Sequence, residues 1–187
     1  MIKKSILAHR GMHNQTLAKN SADALENALK NGFGVETDIR DQNGILVVSH
    51  DPPVNSNINL SFRDLLQIIK YYGKEVRVAL NIKSDGLSSQ IVSEIKQFGL
   101  NLNMFFVFDM SIPDSRDYIK SELPCYSRSS EFECMDYCLN DMDGVWVDNL
   151  TGSHLQIDKC IEAMHCGKKA TFVSPELHGR KHLSVWT

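Results

Sequence analysis

The sequence has no long hydrophobic run, and this absence excludes one class of protein. No segment approaches the roughly 20 apolar residues that a membrane-crossing helix requires. Residues 1–11, MIKKSILAHRG, place two lysines before an apolar stretch. That stretch is shorter than the ~7–15 residues of a signal-peptide core, and no small-residue cleavage site follows it. We therefore expect a soluble, cytoplasmic protein without stable membrane insertion.

Clusters of like charge are also absent. The 20 basic and 23 acidic residues give a formal net charge of −3, and the basic residues form no run longer than pairs such as Lys3-Lys4 and Lys168-Lys169. Such a balance exerts no general attraction on nucleic acid or on an anionic membrane. We expect no nucleic-acid partner, and any bound anion has to be held by a local site.

Cysteine is too sparse and too irregular for a disulfide framework. Five cysteines stand at positions 125, 134, 138, 160 and 166, which favours reduced thiols. Cys134 and Cys138 lie four residues apart in a predicted helix and could form a metal pair. Free cysteine more commonly packs as a small hydrophobic residue.

Short apolar runs alternate with helix-like segments along the chain. The predicted strands are residues 5–8, 35–39, 45–49, 76–82, 104–108, 125–127, 144–147 and 170–173. The predicted helices are residues 21–30, 62–72, 88–98, 113–120, 133–139 and 157–164. Strands that alternate with helices favour parallel pairing and right-handed crossovers. A chain of 187 residues fits one domain, either a doubly wound sheet or a closed barrel.

Local signals support several of these boundaries. Ser61 stands where a helix N-cap is expected, and Gly32 is a helix-stop signal after residue 30. Asn43-Gly44 separates the second and third strands and is a strong turn pair.

Polar residues at the carboxyl ends of the predicted strands favour the barrel. They are His9 and Arg10 after the first strand, Glu36 and Asp38 in the second, His50 after the third, Asn81 and Lys83 at the fourth, Asp109 after the fifth, Asp148 after the seventh and Glu176 after the eighth. A (β/α)₈ TIM barrel draws its chemistry from many strand ends at one face. We predict a single α/β barrel domain over residues 1–187.

Two pairs of residues indicate chemistry. Glu36 and Asp38 are two apart in a strand, so their side chains point the same way, and a divalent cation would neutralise their repulsion. An exposed edge strand would explain the same pair without a metal. His9 and His50 could divide general-acid and general-base roles, although single histidines are more often structural. Arg10 and Lys83 offer positive charge to a phosphate.

The runs ILAHRG at residues 6–11 and GVETDIRDQNGILVVSHDPP at residues 34–53 closely resemble the glycerophosphodiester phosphodiesterase family. The shared pattern is a strand ending in His-Arg-Gly, then Glu-x-Asp, then a strand closing on His-Asp. The segment LNIK at residues 80–83 resembles the fourth strand of that family. The likeness is specific over residues 5–53, moderate to about residue 85, and topological beyond.

The resemblance implies a metal-dependent phosphodiesterase that acts on a small glycerophosphodiester or a similar phosphodiester. It implies His9 and His50 as the acid–base pair, Glu36, Asp38 and Asn81 as ligands of Mg²⁺ or Ca²⁺, and Arg10 and Lys83 as phosphate contacts. It also implies attack by a neighbouring hydroxyl of the substrate, which gives a cyclic phosphate. The motifs do not assign base and acid between the histidines.

Two departures from the family leave alternatives open. Asn81 stands where the family usually has an acidic ligand, which favours weaker metal binding and admits a catalytically silent barrel that binds a phosphorylated ligand. A phospholipase-type enzyme that acts on a lipid or glycan phosphodiester fits the same motifs.

The chain also ends soon after the eighth strand, so we expect a barrel truncated at the C-terminus whose exposed apolar surface invites a partner such as a second copy. The polar segment 174–180 follows that strand, and its Glu176 is a predicted contact for the substrate.

Overall fold

The structure is a computed structural model that describes residues 5–54, 59–73, 75–133, 141–152 and 156–181. The chain divides into two compact units, Met1–Pro124 and Cys125–Thr187. In the described part of the chain, every helix is too short or too polar to cross a bilayer. The predicted helix 133–139, with Cys134 and Cys138, lies almost wholly outside the described residues.

The first unit combines one sheet with helices. Its strands are β1 (Leu7–His9), β2 (Gly34–Gln42), β3 (Ile45–Val48), β4 (Leu60–Ser61), β5 (Val78–Ile82) and β6 (Phe105–Phe108). Its helices are α1 (Ala22–Lys30), α2 (Phe62–Tyr72), α3 (Ser88–Gln97) and α4 (Ile112–Lys120). The sheet order is β4-β3-β2-β5-β6, and β1 also pairs with β2.

The second unit contains a smaller parallel sheet. Its strands are β7 (Tyr126–Ser129), β8 (Gly144–Val147) and β9 (Lys169–Phe172), paired in that order. Helix α5 (Gln156–His165) connects β8 to β9, and a 3₁₀ helix (Pro175–His178) follows β9. Val145, Val147 and Ala163 form the buried contact of α5 with the sheet.

The prediction of parallel strands throughout is wrong at β3. Strand β3 pairs antiparallel with β2, and β4 pairs antiparallel with β3. Asn43 and Gly44 connect β2 to β3, both with positive φ (54° and 80°). A two-residue turn of this kind makes a hairpin, whereas a parallel pair needs a crossover of a dozen or more residues. The turn was predicted, but its consequence for strand direction was not.

The helix signals are confirmed where the structure describes them. The side chain of Ser61 accepts a hydrogen bond from the backbone N–H of Asp64 and caps α2. Ser21 caps α1 by accepting from Ala24. Capping by serine is worth about 1 kcal/mol relative to alanine. Both helices bury an apolar face against the sheet, with Leu25 and Leu65 fully buried.

The mixed α/β class is confirmed. Among the described residues the strands form two sheets, and the closure into a barrel stays a prediction. Helix α5 exposes Ile157, Ile161 and Met164, which are spaced to share one helix face. The homodimer stays a prediction as well.

Candidate active site

Strand register brings four of the predicted site residues to one face of the first sheet. His9 at the end of β1 lies opposite Glu36 of β2, and Asp38 of β2 lies opposite Asn81 of β5. Side chains alternate between the two faces of a strand, and partners in adjacent strands point the same way. The predicted acid–base residue His9 therefore shares a face with the three predicted metal ligands.

The turn after β1 is shaped by close packing. Gly11 has a φ of +82°, and a Cβ on it would lie 2.5 Å from the carbonyl carbon of Ala24 in α1. Arg10 before it is also left-handed, with a φ of 54°. Its backbone N–H donates to the carbonyl oxygen of Glu36 at 2.8 Å. This contact directs the chain after His9 across β2, and it explains the glycine of the His-Arg-Gly motif.

Glu36 is a buried acid in an unfavourable environment. Its side chain is 2% exposed, and the backbone N–H of Arg10 lies 3.3 Å from Oε2. Burial, and then the negative charge of Asp38, raise the pKa of Glu36 to about 8. The pKa is raised although Arg10 and a hydrogen bond from Asn81 act in the opposite direction. Glu36 would therefore hold a proton near neutral pH unless another cation replaces it.

Asp38 is fully buried, and its two oxygens differ. Oδ2 lies 2.8 Å from Nε of Arg10, an ion pair in which the N–H is not directed at the oxygen. Oδ2 also accepts from the amide of Asn20 at 2.8 Å. Oδ1 has no hydrogen-bond partner, and its nearest cation is Nζ of Lys83 at 3.9 Å. One oxygen is held in place and the other is left open.

Lys83 extends from the end of β5 toward two acids. Its Nζ lies 2.7 Å from Oδ2 of Asp109, which follows β6. Asp109 has a φ of 73°, a backbone conformation that is uncommon for residues other than glycine. Lys83 is thus held close to Asp38 by an acid on the neighbouring strand.

His50 reaches the site because β3 runs antiparallel. The backbone N–H of Ser49 donates to the carbonyl oxygen of Asp38 at 3.1 Å, so the chain returns to the level of Asp38. Nδ1 of His50 lies 2.9 Å from Oδ1 of Asp51, and the imidazole is 45% exposed. His50, Asp51, Arg10 and other residues line a cleft of about 720 Å³.

The two histidines have different environments. The ring of His9 is 29% exposed, and its Nε2 lies 3.7 Å from Oε2 of Glu36. Burial, and then the positive charge of Arg10, lower the pKa of His9 to about 4. His9 is therefore neutral at pH 7 and can accept a proton. His50 is open to solvent and carries a carboxylate on its other ring nitrogen.

The buried oxygens of this cluster fit a hard divalent cation. Oδ1 of Asp38 and Oδ1 of Asn81 are both buried and without hydrogen-bond partners. Glu36 adds a carboxylate whose charge is costly without a counter-ion. Carboxylate and amide oxygens are what Mg²⁺ and Ca²⁺ prefer. Within the described ranges no three His, Cys, Asp or Glu side chains form a metal group, because the third oxygen here is an amide.

Glu176 lies in the second unit, and its role stays a prediction. It is exposed in the 3₁₀ helix after β9. Nearby, Nε2 of His178 lies 2.7 Å from Oδ1 of Asp148, and Arg180 donates to the carbonyl oxygen of Leu150 at 3.0 Å. These contacts tie the polar segment 174–180 to the loop after β8.

Asn20 was missed by the sequence reasoning. It stands between β1 and α1 with a φ of 60°, and its side chain contacts Asp38 and Thr37. An asparagine directly before the N-cap Ser21 was the available signal, since asparagine is enriched in the left-handed conformation. Its contact with β2 depends on the tertiary fold and has no local signature.

Several solved structures share this fold. A glycerophosphodiester phosphodiesterase from Parabacteroides distasonis ATCC 8503 has a TM-score of 0.74 and 19% identity, covering 92% of this chain and 85% of its own. A phosphodiesterase from Oleispira antarctica, solved with the product sn-glycerol-3-phosphate, has a TM-score of 0.71 and 16% identity, covering 97% and 88%. An enzyme from Thermotoga maritima has a TM-score of 0.61 and 16% identity, covering 93% and 88%.

Sequence comparison alone does not reach these relatives. The chain matches no protein-family profile and no curated protein. The structural likeness extends over about nine-tenths of the chain. The chain therefore has the fold of glycerophosphodiester phosphodiesterases, and it carries the site described above at the ends of β1 and β5 and in the β2–β3 hairpin.

Proposed function

We propose that this protein is a metal-dependent phosphodiesterase that cleaves a glycerophosphodiester or a similar small phosphodiester. The observation that carries the proposal is the cluster of Glu36, Asp38 and Asn81, with histidine, arginine and lysine beside it. The printed activity of the structural neighbours supports the same reaction class.

His9 is the general base in this proposal. A base has to be unprotonated at working pH, and the pKa of His9 is lowered to about 4 by burial and by Arg10. It takes the proton of the attacking hydroxyl, which we infer to be a neighbouring hydroxyl of the substrate. Attack by that hydroxyl forms a cyclic phosphate.

His50 is the general acid. Its Nδ1 faces Asp51 at 2.9 Å, and it lines the open cleft where a leaving alcohol can depart. A carboxylate on Nδ1 holds the ring and favours a proton on the opposite nitrogen. His50 gives that proton to the leaving oxygen as the ester bond breaks.

Arg10 and Lys83 hold the phosphate. Both cations pair with carboxylates, Arg10 with Asp38 and Lys83 with Asp109. These pairs keep the two positive charges beside the same buried acid. Phosphate oxygens offer each cation a stronger charge-assisted partner, and Arg10 already lines the cleft.

Glu36, Asp38 and Asn81 would hold the divalent cation. When bound, it supplies Lewis-acid stabilisation of negative charge on phosphate oxygens. Without it, Glu36 keeps a proton, so we infer that cation binding and proton release from Glu36 are coupled. Mg²⁺ and Ca²⁺ both suit this set of oxygens.

The first experiment is hydrolysis of bis(p-nitrophenyl) phosphate and glycerophosphocholine by the full chain. Each substrate is tested with EDTA, with Mg²⁺ and with Ca²⁺. We expect turnover that depends on the metal and disappears in His9→Ala. Turnover that persists in EDTA would contradict the metal role. Folded protein that binds the cation and turns over neither substrate would move the proposal to a restricted substrate, such as a lipid or glycan phosphodiester.

A catalytically silent protein that binds a phosphorylated ligand is the second candidate. The neutral amide of Asn81 favours it, because it leaves the cation site with one charge fewer than a third acid would supply. The ion pairs of Arg10 and Lys83 with acids also already offset charge at the site. This candidate predicts phosphate-ester binding without measurable Mg²⁺ or Ca²⁺ binding, and calorimetric titration of the cation distinguishes the two.

A further inference from the structure

Asn20 is the most extensively bonded side chain at the site that the proposed reaction does not use. Its backbone N–H donates to the carbonyl oxygen of Arg10 at 3.0 Å. Its Nδ2 donates to Oδ2 of Asp38 at 2.8 Å, and its Oδ1 accepts from Oγ1 of Thr37 at 2.9 Å. One residue thus joins the turn after β1 to neighbouring positions of β2.

The hydrogen bonds fix which way the amide points. In the reverse orientation, Oδ1 of Asn20 would face the carboxylate of Asp38, and two acceptors would repel each other. Thr37 is fully buried, so its hydroxyl depends on a partner inside the protein. The donor of Asn20 is therefore held toward Asp38 by a contact on its other side.

The consequence for Asp38 is that its two oxygens have separate roles. Asn20 and Arg10 both engage Oδ2, whereas Oδ1 has no hydrogen-bond partner and remains open. A carboxylate without this support would rotate and share its contacts between both oxygens. Partners that orient a ligand typically change metal affinity by ~10–100-fold when they are removed.

We propose that Asn20 is a positioning residue that orients Asp38 for the divalent cation, with Thr37 orienting Asn20 in turn. This inference rests on the proposed function, because it needs a cation at Asp38. It assigns no contact with the substrate to Asn20. Neither the Glu-x-Asp motif nor the strand register assigns this role.

The test variant is Asn20→Gly, which removes the side chain and keeps a residue that tolerates a φ of 60°. The matched control is Asn43→Gly, since Asn43 has a φ of 54° and lies exposed in the β2–β3 turn. Thr37→Val is a second variant, which removes only the hydroxyl that orients Asn20 and retains the buried volume.

Mg²⁺ and Ca²⁺ are titrated calorimetrically into each full-length protein without substrate. We expect Asn20→Gly to weaken the cation by ~10–100-fold and Thr37→Val to weaken it less. Asn43→Gly should bind as the wild type does. In assays, the metal concentration at half-maximal rate should rise in Asn20→Gly, and kcat at saturating metal should recover. A purely structural role would lower kcat at every metal concentration.

Two results would overturn the inference, and they are distinguishable. Wild-type affinity in folded Asn20→Gly, or in Thr37→Val if the first variant does not fold, refutes the role of Asn20 and leaves the proposed function intact. Absence of cation binding by the wild type refutes the metal role itself. That second failure is visible before any variant is made.

Discussion

Glu36 in the first unit and Glu131 in the second have opposite surroundings. Glu36 is buried beside Asp38, and burial and that neighbour raise its pKa to about 8. Glu131 accepts from the backbone N–H groups of Leu150 and Thr151 at 3.0 and 2.9 Å, and from the hydroxyl of Thr151 at 2.7 Å. These hydrogen bonds outweigh desolvation and lower its pKa to about 2.

The difference separates an acid that stabilises a loop from an acid that waits for a counter-ion. The charge of Glu131 is satisfied by donors from its own unit, so it needs nothing further. The charge of Glu36 is not satisfied, which is common at functional sites and rare elsewhere. A strongly shifted pKa therefore indicates a site only when its cause is an unmet charge.

The largest expected effect tests whether the chemistry belongs to the cluster around Glu36. We expect His9→Ala and His50→Ala each to reduce kcat by at least ~10²–10⁴-fold, because each removes a proton-transfer group. Steady-state assays with bis(p-nitrophenyl) phosphate measure this. His165→Ala, at an exposed position of α5, is the matched control. Retention of most activity in either site variant would disprove the acid–base assignment.

The same substitution should have opposite effects on stability at the two glutamates. In EDTA at pH 7, Glu36→Gln should raise the free energy of unfolding by roughly 1–3 kcal/mol, because the raised pKa makes the wild type less stable above pH ~4.5. Glu131→Gln should lower it by about 1 kcal/mol, a modest value because Glu131 is partly exposed. Urea denaturation measures both. Equal signs would break the comparison.

A smaller effect is expected from a charge added at the cation site. Asn81→Asp should tighten Mg²⁺ binding by about tenfold, since an acid replaces a neutral oxygen ligand. Asn101→Asp, an exposed helix N-cap in the same unit, is the control. Calorimetric titration compares the two. An unchanged dissociation constant in Asn81→Asp would show that residue 81 is not a ligand.

The smallest effect concerns pH and the second unit. The folded pKa of Glu131 is about 2, below the ordinary value of 4.5. Its contribution to stability is therefore complete above pH ~4.5 and is lost as pH falls toward 2. The difference in urea midpoint between wild type and Glu131→Gln should shrink over that range. A difference that stays constant from pH 6 to 2.5 would contradict the lowered pKa.

Local patterns predicted most elements and the polar residues of the site. The Asn43-Gly44 turn, the Ser61 cap and the Glu36–Asp38 spacing each depend on neighbours in sequence, so they are visible without a fold. The contacts of Asn20 with Asp38 and of Lys83 with Asp109 join residues 18 and 26 positions apart. Such pairs have no local pattern, and sequence reasoning left them out.

The hairpin of β2 and β3 also bears on how the site forms during folding. Glu36, Asp38 and His50 all belong to this hairpin or directly follow it, within 15 consecutive residues. Hairpins form in roughly 1–10 μs because they close only short loops. Half of the proposed catalytic groups can therefore approach one another early in folding, while Asn81 and Lys83 join when β5 pairs with β2. Circular permutation should be tolerated better outside residues 34–50 than within them.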